Sequence, residues 1–117
     1  MEKIRTVVAY KSYFEDFIKK LRPNVVRKIL QILRIVETLE MIPSNFLKYI
    51  EGADGLYEIR ANFDRSWFRV FCFFDSGRLV VLLGGFQKKS TKTPKNEIKK
   101  ALKIKEEYFM EKNNLNS

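Results

Sequence analysis

The sequence has no histidine, and this absence removes more chemistry than any residue present supplies. Without imidazole, the commonest general base near neutral pH and the commonest metal ligand are both missing. A Ser-His-Asp triad and a Cys-His pair are excluded. The single cysteine, Cys72, rules out an internal disulfide and fits a reducing compartment. One thiol with no imidazole also leaves no ligand set for zinc. Catalysis, if there is any, rests on Lys, Arg, Glu, Asp or Tyr. Long apolar runs are missing too. None approaches the ~20 residues that span a bilayer, and the longest, "LVVLLGGF", suits a buried strand. Met1 to Lys11 lacks the apolar core of a signal peptide, so a cytoplasmic protein without membrane association is expected. Acidic residues are scarce, 14 against 23 lysines and arginines, which leaves a net charge of +9.

What is present describes one folded domain. A chain of 117 residues, 45% hydrophobic and 14% aromatic, supports one core and not two. Residues 1–112 read as a single domain and 113–117 as a polar tail. Lys3 to Tyr10 is a short β-rich run. Ser12 and Glu15 have capping-box spacing, and Tyr10, Tyr13, Phe14, Phe17, Ile18 and Leu21 recur at helical intervals. Pro23 opens a second helix with Val26, Ile29, Leu30, Leu33 and Val36 on a shared face, so the two helices form an antiparallel hairpin. After the turn cluster "EGADG", three strand-like runs follow: Leu56 to Asn62, Ser66 to Phe74 and Leu79 to Gly85. Thr93 has the chemistry of an N-cap, with Pro94 at the first helical position. The order β-α-α-β-β-β-α indicates an α+β domain with an antiparallel meander.

Positive charge is clustered at the exit of the last strand. Phe86 to Lys105 holds eight lysines and one glutamate, a footprint that seeks polyanions, nucleic acid first. Strand side chains alternate between faces, so parity sorts them. With Asp64-Arg65 at the tip of the first turn, Arg60 faces Arg69. A four-residue loop from Asp75 to Arg78 sets Arg69 beside Gly84. One face then carries Tyr57, Ile59, Ala61, Phe68, Val70, Cys72, Phe74, Leu79, Val81 and Leu83 as core. The other carries Glu58, Arg60, Trp67, Arg69, Phe71, Phe73, Val80, Leu82 and Gly84, with Lys88 on its charged side. Two arginines directly opposed repel each other. A bound anion relieves the repulsion, and Gly84 lets a phosphate backbone approach. The plainer reading is a surface salt bridge from Arg60 to Glu58 or Asp64, worth little.

The residues "GLYEIR", "FRVFCFF" and "LLGGFQKKSTKTPKNEI" resemble the HigB branch of the RelE/ParE superfamily of toxin–antitoxin toxins. The resemblance runs from about Tyr10 to Phe109. It implies a small antiparallel sheet with an N-terminal helical hairpin on one face and a C-terminal helix. It also implies a metal-independent, ribosome-dependent endoribonuclease that cuts mRNA, needs no cofactor, and is neutralised by a cognate antitoxin, often of helix-turn-helix type. Carried over by motif, the catalytic set is Glu58, Arg60, Arg69 and Lys88, with Lys89 beside it. The ParE branch inhibits DNA gyrase instead, and an inactive basic module that binds nucleic acid or antitoxin is a third alternative.

RNA can be cleaved by its own 2′-hydroxyl. Guanidinium groups clamp the phosphate through paired donors. Lys88 stabilises the same charge, or acts as base if neighbouring cations lower its pKa. Glu58 is the other candidate base, or it orients Arg60. Lys92, Lys95, Lys99 and Lys100 are expected to hold ribosomal RNA through salt-sensitive contacts. Phe86 or Trp67 offers a ring for base stacking, or packs in the core.

Overall fold

The computed structural model describes residues 2–115; Met1 and the last two residues of the expected tail lie outside it. Along the chain come β1 (Thr6–Ala9), α1 (Tyr13–Ile18), α2 (Pro23–Thr38), β2 (Leu47–Tyr49), β3 (Tyr57–Phe63), β4 (Ser66–Asp75), β5 (Leu79–Lys88) and α3 (Lys95–Leu115). The α+β class and the central meander are as the sequence indicates. The sheet is larger and mixed: five strands in the order β1-β5-β4-β3-β2, with β1 running parallel to β5 and every other pairing antiparallel. The added strand β2 is three residues long, too short for any periodicity to show. Helix α3 continues to Leu115, into the segment read as a tail.

Helix α2 begins with Pro23 at its first turn, where a missing N–H costs nothing. Its buried stripe is Val25, Ile29, Ile32, Leu33 and Val36, rotated from the expected one, and Leu30 stands 49% exposed. The helix ends where Leu39 turns extended. There the Arg5 guanidinium donates to the carbonyls of Val36, Leu39 and Glu40 at 3.1, 2.6 and 2.8 Å. A cation thus satisfies orphan carbonyls at the negative end of the helix. At α1, Ser12 occupies the N-cap position but makes no capping bond; its hydroxyl goes to Asp16 at 3.1 Å.

Two apolar clusters sandwich the sheet. Helices α1 and α2 cover Ile59, Ala61, Phe68, Val70, Cys72, Val80 and Leu82, while α3 covers Phe71, Phe73, Val81, Leu83 and Phe86. The expected placement of β5 is therefore reversed for Leu79 to Leu83. The turn pairs Asp75 with Leu79, one residue tighter than expected, with Ser76 and Gly77 at positive φ. A register shift of one residue exchanges the two faces of a strand. A bulge then restores parity: between the Cys72–Leu82 and Val70–Gly85 pairs, Leu83 and Gly84 together oppose Phe71. Beyond it Phe86 opposes Arg69 and Lys88 opposes Trp67.

Gly84 is consequently not beside Arg69, and the nearest side chains to both glycines are those of α1. A Cβ at Gly85 would meet the Phe17 ring at 2.6 Å and the Arg69 carbonyl at 2.7 Å, and one at Gly84 would make ordinary contact with Tyr13. The glycine at 85 lets the α1 aromatic ring seat on β5.

Candidate functional site

Helix α3 covers only the apolar end of its face of the sheet. The other end carries the polar residues, and they are buried without being apolar: Glu58 is 4% exposed, Arg69 2% and Lys88 9%. Arg60 lies directly opposite Arg69. Its amide donates to Phe46 at 2.8 Å, on the β2 side, so it does not bond to β4. Arg60 and Arg69 are thus a non-hydrogen-bonded pair, the arrangement that brings side chains closest.

One carboxylate reconciles them. Glu58 Oε1 sits 3.7 Å from the Nε of Arg60 and 3.7 Å from the Nε of Arg69. That is an attractive ion-pair distance but too long for a hydrogen bond. Both Nε atoms are buried and lack a hydrogen-bond partner. The Arg69 Nη1 donates to Asn62 Oδ1 at 3.1 Å and to the Phe68 carbonyl at 2.9 Å. Burial lowers the pKa of Arg69, Arg60 lowers it further, and Glu58 opposes them. The group stays charged in any accessible range.

Lys88 reaches the same floor from β5. Burial, then Arg69, pulls its ammonium below the ordinary value of 10.5; Glu58 opposes this, and Arg60 and Lys48 add to it. Thr93 completes the cluster in a role the sequence did not indicate. Its hydroxyl donates to Glu58 Oε2 at 2.8 Å instead of capping α3. The first helical carbonyl is that of Pro94, which accepts from Glu97 and Ile98. Thr93 therefore ties the lysine-rich loop to the buried carboxylate.

Above this floor lies an open groove of about 640 Å³ walled by Lys48, Tyr49, Glu58, Arg60, Lys88, Thr91, Lys92 and Thr93, among others. Lys48 and Tyr49 belong to β2, so missing that strand meant missing one wall. The signal was present but faint: Lys48 is a lone cation in a three-residue strand whose partner is Glu58.

The residues expected to bind RNA are dispersed. Lys92 lines the groove, and Lys89 and Lys95 are exposed near it along the chain. Lys99 and Lys100 are exposed on α3, and Lys100 borders a different cavity of about 200 Å³, between α1 and α3. Phe86 is buried and stacked on Phe71, with centroids 5.5 Å apart and planes 25° off parallel. Its ring belongs to the core beneath α3 and is not available as a base platform.

Chemically, the floor presents three cations around one carboxylate whose two oxygens are already engaged. It suits a phosphate diester better than a neutral ligand. Among the described residues, no three His, Cys, Asp or Glu side chains cluster to hold a metal ion, and no helix is long and apolar enough to cross a membrane.

None of the curated proteins matches the chain. Residues 16–106 match the family described as Phage derived protein Gp49-like (DUF891). The matched segment runs from α1 into α3 and contains Glu58, Arg60, Arg69, Lys88 and Thr93. The chain belongs to the Gp49-like family of phage-derived proteins, a branch of the RelE/HigB-type toxins.

Proposed function

We propose that this protein is the toxin of a type II toxin–antitoxin pair, a HigB-like, ribosome-dependent endoribonuclease of the cytoplasm. A cognate antitoxin, of helix-turn-helix type, neutralises it. The observation that carries this reading is the Arg60–Arg69 pair, held 3.7 Å from a shared carboxylate at the floor of a cationic groove.

In this mechanism the two guanidiniums bind the non-bridging oxygens of the scissile phosphate and stabilise the charge that builds on the phosphorane. The 2′-hydroxyl attacks phosphorus as its proton passes to the Lys88 amine, and the bond to the 5′ oxygen breaks. A 2′,3′-cyclic phosphate remains on one fragment, and the 5′ oxygen of the other takes a proton from water. Lys88 is the better base, because burial and Arg69 favour its neutral form. Glu58 acts as orienter: Oε1 faces the two guanidiniums and Oε2 accepts from Thr93. The ribosome supplies what such acid–base groups lack, a strand held in the attacking geometry. Lys89, Lys92, Lys95, Lys99 and Lys100 add screened contacts to ribosomal RNA.

Regulated expression in bacteria, followed by primer extension on several mRNAs, tests the reading. Cuts confined to translated codons, and lost when initiation is blocked, are expected. Intact mRNA with altered DNA supercoiling would assign the protein to gyrase inhibition. Intact mRNA with normal growth would make it a binding module.

A further inference from the structure

Beside the arginine pair is a second, smaller pocket of about 230 Å³, lined by Arg60, Asn62, Trp67, Arg69, Lys88 and Thr91. Trp67 is the sole tryptophan of the chain. It stands on β4 two residues before Arg69, on the same face, with Asn62 on one side and Lys88 on the other. It is 40% exposed, and among the described residues its indole makes no hydrogen bond, ring contact or cation–π contact. An open aromatic face beside buried cations is a poor use of a large apolar side chain unless something flat covers it.

Asn62 is set to read what lies there. Its Oδ1 accepts from Arg69 Nη1 at 3.1 Å, so the two hydrogens of its Nδ2 are left for an outside acceptor. Spacing supplies the link to the phosphate site. Positions i and i+2 of a strand are about 6.6 Å apart, so Trp67 and Arg69 are offset by a span that the base and phosphate of one nucleotide can bridge.

We propose that this pocket is a nucleobase subsite. Trp67 is the platform on which one unstacked base of single-stranded RNA lies, and Asn62 donates to an acceptor on that base's edge. The subsite rests on the RNA-cleaving reading for its biological use, but its occupancy is measurable without cleavage. The cationic and amide lining favours an RNA base over an apolar side chain of a protein partner.

Because Trp67 is the sole tryptophan, its fluorescence reports the pocket alone. The probe is a 2′-O-methyl RNA trinucleotide, which cannot be cleaved, beside the same trinucleotide made abasic at its central position. Saturable quenching by the first and little by the second is expected. By titration calorimetry, which needs no tryptophan, Trp67→Ala should weaken binding of the intact trinucleotide about 5- to 150-fold, the loss of one base–aromatic stack. Trp67→Phe should retain most of the binding and shows that the fold survives. Asn62→Ala should level the affinities for the four central bases. Equal quenching by the abasic probe, no binding of RNA, or unchanged binding by Trp67→Ala would each overturn the subsite, as would quenching only by the antitoxin. Base-dependent quenching without cleavage on ribosomes would keep the subsite and refute the nuclease. Cleavage without such quenching would do the reverse.

Discussion

Glu58 is the residue on which the site's internal balance turns, since one carboxylate offsets two cations that would otherwise repel across the strands. Glu58→Gln preserves shape and can still accept from Thr93, but it removes the charge. Breaking a buried ion pair costs about 3–5 kcal/mol, and urea unfolding should show a loss of that order. An added oligophosphate should raise the melting temperature of Glu58→Gln more than that of the wild type, because a bound anion replaces the missing carboxylate. An unchanged unfolding midpoint would mean that the arginines do not need Glu58. Thr93 acts on the same atoms from the loop. Thr93→Val should slow cleavage while leaving ribosome affinity near the wild-type value, and Thr93→Ser, which keeps the hydroxyl, should restore the rate. If Val and Ser behave alike, the bond to Glu58 does not position the loop.

Among the elements, β5 decides where everything lies. A tight turn at Ser76 exchanges its faces and a bulge opposite Phe71 exchanges them back. Parity alone therefore places Lys88 correctly but Leu79 to Leu83 wrongly. Neither the loop length nor the bulge leaves a mark in composition, because Val, Leu and Phe suit both faces of a doubly covered sheet. The facing of Arg60 and Arg69 was legible because a short polar turn, Asp64-Arg65, joins their strands. Strand β2 and the Thr93–Glu58 bond were not legible. The first is too short to show a pattern, and the second joins residues 35 apart in the chain. Gly85 tests the packing side of this picture. Gly85→Ala would drive a methyl into the Phe17 ring and the Arg69 carbonyl, which should destabilise by about 1–3 kcal/mol; a neutral effect on thermal unfolding would contradict the seating of α1. Helix α3 is held partly by carboxylates. Asp75 accepts from Tyr108 at 2.6 Å and from Lys112 at 2.8 Å. Glu107 and Glu111 accept from Tyr13, Tyr10 and Lys11. Hydrogen bonds from Lys112 and Tyr108 lower the pKa of Asp75, those from Lys11 and Tyr13 lower Glu107, and those from Tyr10 and Lys11 lower Glu111. The stability these groups add is complete above their ordinary values of 3.8 and 4.5 and is lost as pH falls through the lower folded-state values. The near-ultraviolet circular dichroism of the Tyr10–Tyr108 pair should hold steady from neutral pH into the mildly acidic range and collapse only below it. A collapse that begins near neutrality would count against these contacts.

Across the whole molecule, one sheet face is divided between two tasks. Helix α3 seals the half bearing Phe71 and Phe73, and the open half concentrates Arg60, Arg69 and Lys88 in a protein of net charge +9. In the proposed mechanism this separates chemistry from docking, with Lys88 buried on the floor and Lys99 and Lys100 exposed out on the helix. The most direct test is single-turnover cleavage of mRNA on programmed ribosomes, run beside ribosome binding at two salt concentrations. Lys88→Ala should slow cleavage of bound mRNA by about 10²- to 10⁴-fold, the usual worth of a general base, with affinity little changed. The wild-type rate should rise with pH and level off below the ordinary lysine value of 10.5. A Lys99/Lys100 double alanine variant should instead lose affinity and salt dependence, with the bound rate preserved. If Lys88→Ala loses only affinity, or if wild-type protein leaves bound mRNA intact, the cationic floor is an anchor and not a catalytic site.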